Sequence, residues 1–302
     1  MKRVKKDVIN GWLIIDKEVG VGSTQVVNQT RYLLNAQKNG HTGTLDPFAT
    51  GVLPIAFGEA TKLVPYIMNG KKEYEFVVRF GATTDTLDCT GNIIEQDLGV
   101  PTEEEIKKCL GYFIGKIEQV PPAYSAIKVN GKRAYDLVRK GEKVDIPVRE
   151  VEIYRLEMVE FLPPESARFV VECSKGTYVR TLGADLAKKL GTLGYLTELR
   201  RTKCGNFRID DTILLESLKN IEYIAERQKK LLPLLTSLCD ITVIAVREDD
   251  AIKLRKGQAV SPRNYKVDEL VGREVAAVCS DRLVAMVRID ERRISPVRVF
   301  NL

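Results

Sequence analysis

Histidine and tryptophan are almost absent from this chain, with one of each among 302 residues. With His41 alone, zinc sites that combine histidines with cysteines have nothing to build on. The six cysteines, at 89, 109, 173, 204, 239 and 279, never form a C-x-x-C pair. All-cysteine zinc patterns and thioredoxin-type redox motifs are excluded with it. A chain of this size does not need a disulfide framework, so free thiols in a reducing compartment are expected. Long apolar runs are missing too: charge interrupts each one within about 10 residues, so no membrane-spanning helix is expected. The basic stretch from Met1 to Asp7 leads into neither a long apolar segment nor a small-residue cleavage site, and a cytoplasmic address is expected. No glycine-rich dinucleotide fingerprint or P-loop is present.

What is present describes an ordinary soluble globular protein. Apolar residues make up 44% and charged residues 29%, enough for one large domain and one small one, each with its own core. The net charge is +6, with local basic excess from Lys128 to Arg149 and from Lys253 to Lys266. A polyanionic partner fits that balance, and so do many proteins without one.

Residues 10–16 form a short apolar run that predicts a buried strand. Ser23 or Thr24 is placed to cap a helix carrying Val26, Val27, Thr30, Leu33 and Leu34 at helical spacing. Residues 40–51, rich in Gly, Thr, Asp and Pro, predict a loop; the following apolar strand contains Pro54, which suits an irregular or edge position. Tyr74, Phe76, Val78 and Phe80 alternate with polar residues as in a half-buried strand. Thr102 to Glu105 is a capping box, with Ile106, Cys109, Leu110 and Phe113 behind it. Asn130-Gly131 signals a hairpin turn. Residues 150–161 and 167–173 predict two strands. A helix is predicted from Thr177, with Leu182, Leu186 and Leu190 on one side and Gly191 as its stop. A further helical stretch is expected from about Ile213 to Leu235. Beyond Asp240, short β-type runs at close intervals predict a small β-rich domain of roughly 60 residues. Strands and helices are interspersed without regular alternation, which predicts an α+β fold with a large mixed, mainly antiparallel sheet flanked by helices and loops.

Asp46 precedes Pro47 in the loop bracketed by Gly43 and Gly51. In isolation an Asp-Pro pair initiates turns. Here His41, Thr42, Thr44 and Thr50 crowd around the carboxylate on a loop held between apolar elements, the kind of place where catalytic groups lie. The residues alone make it a candidate site.

The run Gly40-His41-Thr42-Gly43-Thr44-Leu45-Asp46-Pro47-Phe48-Ala49-Thr50-Gly51-Val52-Leu53-Pro54 closely resembles the signature motif of the TruB family of pseudouridine synthases. Further blocks agree in order and spacing: Lys72 to Phe76 with Gly81 to Gly91, Gln119 to Lys128, and Cys173 to Leu182. Together they span most of residues 10–210. The resemblance implies the pseudouridine synthase fold for residues 1–237, with an RNA-clamping thumb at about 124–150. A weaker likeness, from Leu254 to Gln258 and Ser295 to Phe300, implies a PUA-like RNA-binding domain over residues 238–302. It also implies conversion of uridine 55 in the T-loop of tRNA to pseudouridine, with Asp46 as the essential aspartate. Tyr74 would pack on the uracil, Arg180 would pair with the aspartate, and Tyr178 would lie nearby. The family's strand motif continues Asp-Lys-Pro-x-Gly where this chain reads Asp16-Lys17-Glu18-Val19-Gly20; the proline is lost and Lys17, a substrate-side candidate, is kept.

These residue types suit the reaction. Breaking N1–C1′ and forming C5–C1′ involves no net redox change, so the implied reaction requires neither a cofactor nor a metal, in agreement with the missing dinucleotide and P-loop motifs. A carboxylate can act as nucleophile or base, a nearby guanidinium can keep it charged in a dry pocket, and a tyrosine offers a face for stacking. The target nucleotide must be flipped out of its stack, at a cost of a few kcal/mol, and the resemblance places His41 to fill or prop the vacated space; the alternative is a histidine satisfied within a turn. Lys128, Lys132, Arg133, Arg139, Lys140, Lys143 and Arg149 are candidates for gripping the RNA backbone, or else form a solvated basic loop, and Arg200 and Arg201 extend the backbone candidates. The expected partner is tRNA, through its T-arm and, by way of the C-terminal domain, its acceptor stem, without an obligate protein partner. Two rivals stand beside this reading: the catalytic subunit of an RNA-guided pseudouridylation particle, and a tRNA-binding or folding helper in which catalysis is secondary.

Overall fold

The computed structural model describes residues 5–302 except 98, 126, 130, 139, 142, 143, 239 and 240, and it describes only the backbone of 128, 129, 132 and 133. Of the backbone candidates above, Arg139 and Lys143 therefore lie outside the described residues, as do the side chains of Lys128, Lys132 and Arg133.

Ten strands form one large sheet. Its spine runs in the order Ile213–Leu214, Gly11–Lys17, Thr50–Phe57, Gly194–Cys204, Lys72–Phe80, Ser166–Cys173, Arg149–Leu162 and Gly115–Gln119. Two short strands, Asn39–His41 and Phe207–Arg208, branch from it. Most neighbours are antiparallel; Gly11–Lys17 with Ile213–Leu214 and Thr50–Phe57 with Gly194–Cys204 are parallel. The expected mixed, mainly antiparallel sheet is observed.

Side-chain alternation decides what covers each part of it. In Ser166–Cys173 every second residue is buried, Ala167, Phe169, Val171 and Cys173, and Phe169 stacks on Phe76 with centroids 5.3 Å apart. The opposite face of this region is open and carries ion pairs: Arg155 with Glu73, and Arg168 with Glu75 and Glu198. One packed and one wet face is the usual solution for antiparallel sheets. At the other end both faces are covered, so Gly11–Lys17 is apolar almost throughout. Leu13 and Ile15 point into the main core, while Trp12 and Ile14 point into a second one. That second core also contains Ala276, Leu283, Met286 and Phe300. The first three lie in a separate four-stranded sheet of Val243–Ala245, Glu274–Cys279, Arg282–Ile289 and Ile294–Val299, Phe300 follows its last strand, and the sheet has a further core of its own.

The helix Glu103–Cys109 begins at the expected capping box: Thr102 Oγ1 accepts from Glu105 N, and the Glu105 carboxylate accepts from Thr102 N. The helix Val179–Lys189 buries Leu182 and Leu186 and ends before Gly191, whose φ is 79°. Two expectations need correction. The helical stretch expected from about Ile213 to Leu235 is not continuous: a two-residue strand is followed by the short helices Leu215–Lys219 and Ile224–Gln228 and the 3-10 turn Leu234–Leu238. Ile213–Leu214 is drawn into the sheet, Leu232 exchanges backbone hydrogen bonds with Trp12, and Pro233 has no N–H to continue a helix. Neither Ser23 nor Thr24 caps the helix Ser23–Leu33; Gly22 is the N-cap and Ser23 already lies in the helix. Pro54 takes the irregular one of the two positions expected of it, inside the sheet in the gap between the part of its strand paired with Gly194–Cys204 and the part paired with Asn39–His41. The five described cysteines are free, and among the described residues no helix is long and apolar enough to cross a membrane.

Candidate functional site

The Asp46 loop is held from several sides. Ser23 Oγ donates to Leu45 O and accepts from Leu45 N, both at 2.9 Å. Pro47 O accepts from Gly20 N at 2.8 Å and from Lys17 Nζ at 3.1 Å. Leu45, Phe48 and Ala49 are buried in the main core. At the end of the loop, Gly51 has φ of 100°, and a Cβ there would stand 2.2 Å from Arg201 O. Only glycine allows the two strands this approach.

Asp46 sits at the foot of a cavity of about 700 Å³ lined also by Tyr74, Arg149, Tyr178, Arg180 and Leu199, a size suited to a nucleotide-sized ligand. Its side chain keeps 34% of its surface open, toward the cavity. Arg180, 3% exposed, places Nε 2.9 Å from Asp46 Oδ2, an ion pair whose N–H is not aligned on the oxygen. Nη1 lies 3.4 Å from Asp88 Oδ2. Nη1 also donates to Thr86 O at 2.8 Å, and Nη2 to Tyr124 O at 2.9 Å. Arg180 stands just inside its helix, after Tyr178, whose N–H and C=O are both held by the side-chain amide of Gln119. The guanidinium is thus fixed between two carboxylates and two carbonyls.

Burial pushes the Asp46 carboxyl up from its ordinary value; Arg180 pulls it down and Asp88 pushes it up again. Asp88, 3% exposed, is itself held by the hydroxyls of Thr86 and Thr90 and by Thr90 N. Tyr74 turns its ring to the cavity, and burial raises its hydroxyl to about 12, so it stays protonated at neutral pH.

Sequence reasoning placed Asp46, Tyr74, Tyr178 and Arg180 in one site, and they share this cavity. Three other candidates take different positions. Lys17 is 1% exposed and gives its ammonium to Glu18 O, Val21 O and Pro47 O, so it shapes the loops instead of facing a ligand. Arg201 is 2% exposed and lines the cavity, donating to Val52 O and Gly43 O and lying against the Tyr74 hydroxyl; at that burial it is not a surface contact for a backbone. Arg200 is taken by both carboxylate oxygens of Asp16, at 2.7 and 3.1 Å. His41 lies on the strand before the loop, outside the cavity lining, with Nδ1 accepting from Gly43 N at 3.2 Å. Lys140 is exposed. Asp88 was not singled out from sequence; its one signal was its place in the Gly81 to Gly91 block.

Two family models match in succession: "TruB family pseudouridylate synthase (N terminal domain)" over residues 31–179, and "tRNA pseudouridylate synthase B C-terminal domain" over 180–239. A tRNA pseudouridine synthase B of Caulobacter vibrioides is 44% identical over 307 aligned positions, covering 100% of this chain and 99% of the relative.

The chain belongs to the TruB family of pseudouridylate synthases.

The corresponding protein of Sinorhizobium medicae is 43% identical over 99% of this chain and 98% of its own length. Among solved structures, an H/ACA RNP bound to a substrate RNA containing 2′-deoxyuridine matches with a TM-score of 0.73 and 22% identity, over 97% of this chain and 85% of that one. A Cbf5-Nop10-Gar1 complex matches with a TM-score of 0.73 and 24% identity, over 96% of this chain and 84% of that one. These likenesses establish that the TruB-family fold described above is a pseudouridine synthase fold. The second family model ends at residue 239, before the whole of the four-stranded sheet.

Proposed function

We propose that this chain, as a tRNA pseudouridine synthase, isomerises uridine 55 in the T-loop, with Asp46 as the group that initiates the reaction. The observation that carries this reading is the Asp46–Arg180 ion pair at the foot of a nucleotide-sized cavity, in a chain 44% identical to a tRNA pseudouridine synthase B along its whole length. The ionised carboxylate acts as nucleophile or base while N1–C1′ breaks and C5–C1′ forms. Arg180 holds it charged and aimed. Tyr74 and Leu199 offer apolar surface to the flipped base, with the Tyr74 hydroxyl protonated. His41, neutral because burial lowers its pKa, stands beside the cavity to stack against the opened RNA loop.

The segment 124–150 is read as a thumb that grips the RNA backbone. Residues 238–302 are read as a PUA-like unit reaching the acceptor stem, with the catalytic domain ending near 237. A cleft of about 570 Å³ lined by Lys38, Arg255 and Arg298, between the body and the four-stranded sheet, supports that second contact. The reading places the enzyme in the cytoplasm, working without guide RNA or partner protein. Incubating purified protein with an unmodified T-arm transcript tests it: pseudouridine at position 55 is expected, and modification only after adding a guide RNA would favour a particle subunit.

A further inference from the structure

One charged side chain lining the Asp46 cavity, that of Arg149, has two guanidinium nitrogens without a hydrogen-bond partner among the described residues. Arg149 opens the strand Arg149–Leu162 and is registered against Gln119 in the ladder. Its guanidinium lies over the Tyr178 ring, 4.8 Å from the centroid, a stacking arrangement that holds its plane. Nε and Nη2 are buried and have no hydrogen-bond partner among the described residues. A buried charged donor without an acceptor is destabilising unless a ligand completes it. The two carboxylates that line the cavity are engaged elsewhere, Asp46 with Arg180 and Glu150 with Lys116.

The chemistry of the missing acceptor follows from which atoms are free. Nε–H and the neighbouring Nη2–H form the side-on edge of a guanidinium, two parallel donors spaced for two oxygens on one central atom. The Watson–Crick edge of uracil presents an N–H between its two carbonyl oxygens and does not match that fork. The two non-bridging oxygens of a phosphodiester do. We infer that Arg149 is the receptor for a phosphodiester adjoining the nucleotide held over Asp46, a positioning residue that fixes how far the flipped nucleotide enters. This rests on the RNA-substrate reading and deepens it: Arg149 is one of the backbone candidates at the end of the thumb segment, and whereas the other thumb lysines and arginines grip the backbone electrostatically, Arg149 reads one phosphate from inside the cavity.

The test is binding of native protein, Arg149→Met and Arg149→Lys to synthetic T-arm stem-loops. The stem-loops are unmodified or carry one neutral methylphosphonate at the linkage 5′ or 3′ to the target uridine. At one of these linkages the replacement is expected to weaken native binding about ten- to a hundredfold, the range of a charge-assisted pair. It should change Arg149→Met binding by less than about twofold, because the paired contact is already lost. The slope of log Kd against log salt should be shallower by about 0.7–0.9 in Arg149→Met and retained in Arg149→Lys. Arg149→Lys should still bind the unmodified RNA more weakly than native protein, having charge without the fork. A residue that merely packs on Tyr178 would leave both the coupling and the slope unmoved. If Arg149→Met fails to fold, judged by its thermal unfolding, Arg149→Gln, also neutral, takes its place in the methylphosphonate series. Equal methylphosphonate penalties in native protein and the neutral variant, or no penalty at either linkage in the native protein, overturn the inference. Because the readout is binding, absence of isomerisation by native protein counts against the functional reading alone, and lost coupling with turnover intact counts against Arg149 alone.

Discussion

A carboxylate that has to be charged at the foot of a cavity depends on its neighbours. Burial raises the Asp46 pKa, Arg180 lowers it and Asp88 raises it. A raised pKa means that the ionised, reactive form is lost at a higher pH than for a free aspartate as the solution is acidified. The rate of pseudouridine formation should therefore fall on the acid side with an apparent pKa above the ordinary aspartate range. Asp88→Asn removes a negative neighbour, so its acid limb should move to lower pH, with a lower kcat because Arg180 loses an anchor. Arg180→Ala should move the limb upward and reduce kcat by about 10²–10³, the range for losing one preorganised charge partner, while RNA affinity changes far less. Single-turnover rates across pH, with Kd measured alongside, check both. At this scale Asp46, Tyr74 and Arg180 were legible because each lies in a distinctive block. Asp88 was not, because its role depends on residues 88 and 180 meeting in space. Arg200 and Arg201 looked alike in sequence; successive strand residues face opposite sides, so one reaches Asp16 and the other is buried under Tyr74.

The loop that carries Asp46 is as much a part of the site as the residue. Lys17 ties Glu18, Val21 and Pro47 together, and burial lowers its pKa to about 8, with Asp46 raising it and Arg201 lowering it. Above that pH the neutral amine keeps only two protons for three carbonyls. A decline in rate on the alkaline side with an apparent pKa near 8 is expected. Lys17→Met should be slower at every pH and lack that decline; a pH–rate profile of both proteins decides. Gly51→Ala forces a Cβ against Arg201 O at a positive φ and should cost at least about 3 kcal/mol in a urea unfolding curve. The strands, the capping box and the helix after Tyr178 were legible from local pattern. The broken 213–238 stretch was not, since apolar spacing resembled a helix while strand pairing at Ile213 and the backbone bonds between Trp12 and Leu232 decided otherwise.

In the whole molecule, the four-stranded sheet is joined to the body by a shared apolar core. Trp12 packs on Phe207 with centroids 5.3 Å apart, and Met286 and Phe300 belong to the same cluster. Polar ties flank it: Tyr66 donates to the Glu274 carboxylate at 3.0 Å and Lys62 to Val299 O at 2.7 Å. The Asp46 cavity and the basic cleft beside the small sheet are therefore held in one frame, as suits reading an RNA by its shape at two separated places. A small β-rich unit was visible in the sequence; its docking was not, because it rests on contacts between residues at opposite ends of the chain. If Asp46 performs the chemistry and the rest of the frame only delivers the uridine, removing its charge should abolish turnover and spare RNA binding. Unmodified tRNA should be incubated with native protein and with Asp46→Asn, with pseudouridine mapped by chemical probing and RNA binding measured in parallel. Pseudouridine at position 55 is expected with native protein, none with Asp46→Asn, and affinities within a few-fold of each other. Turnover by Asp46→Asn, or no modification of tRNA by the native protein alone, would contradict this reading.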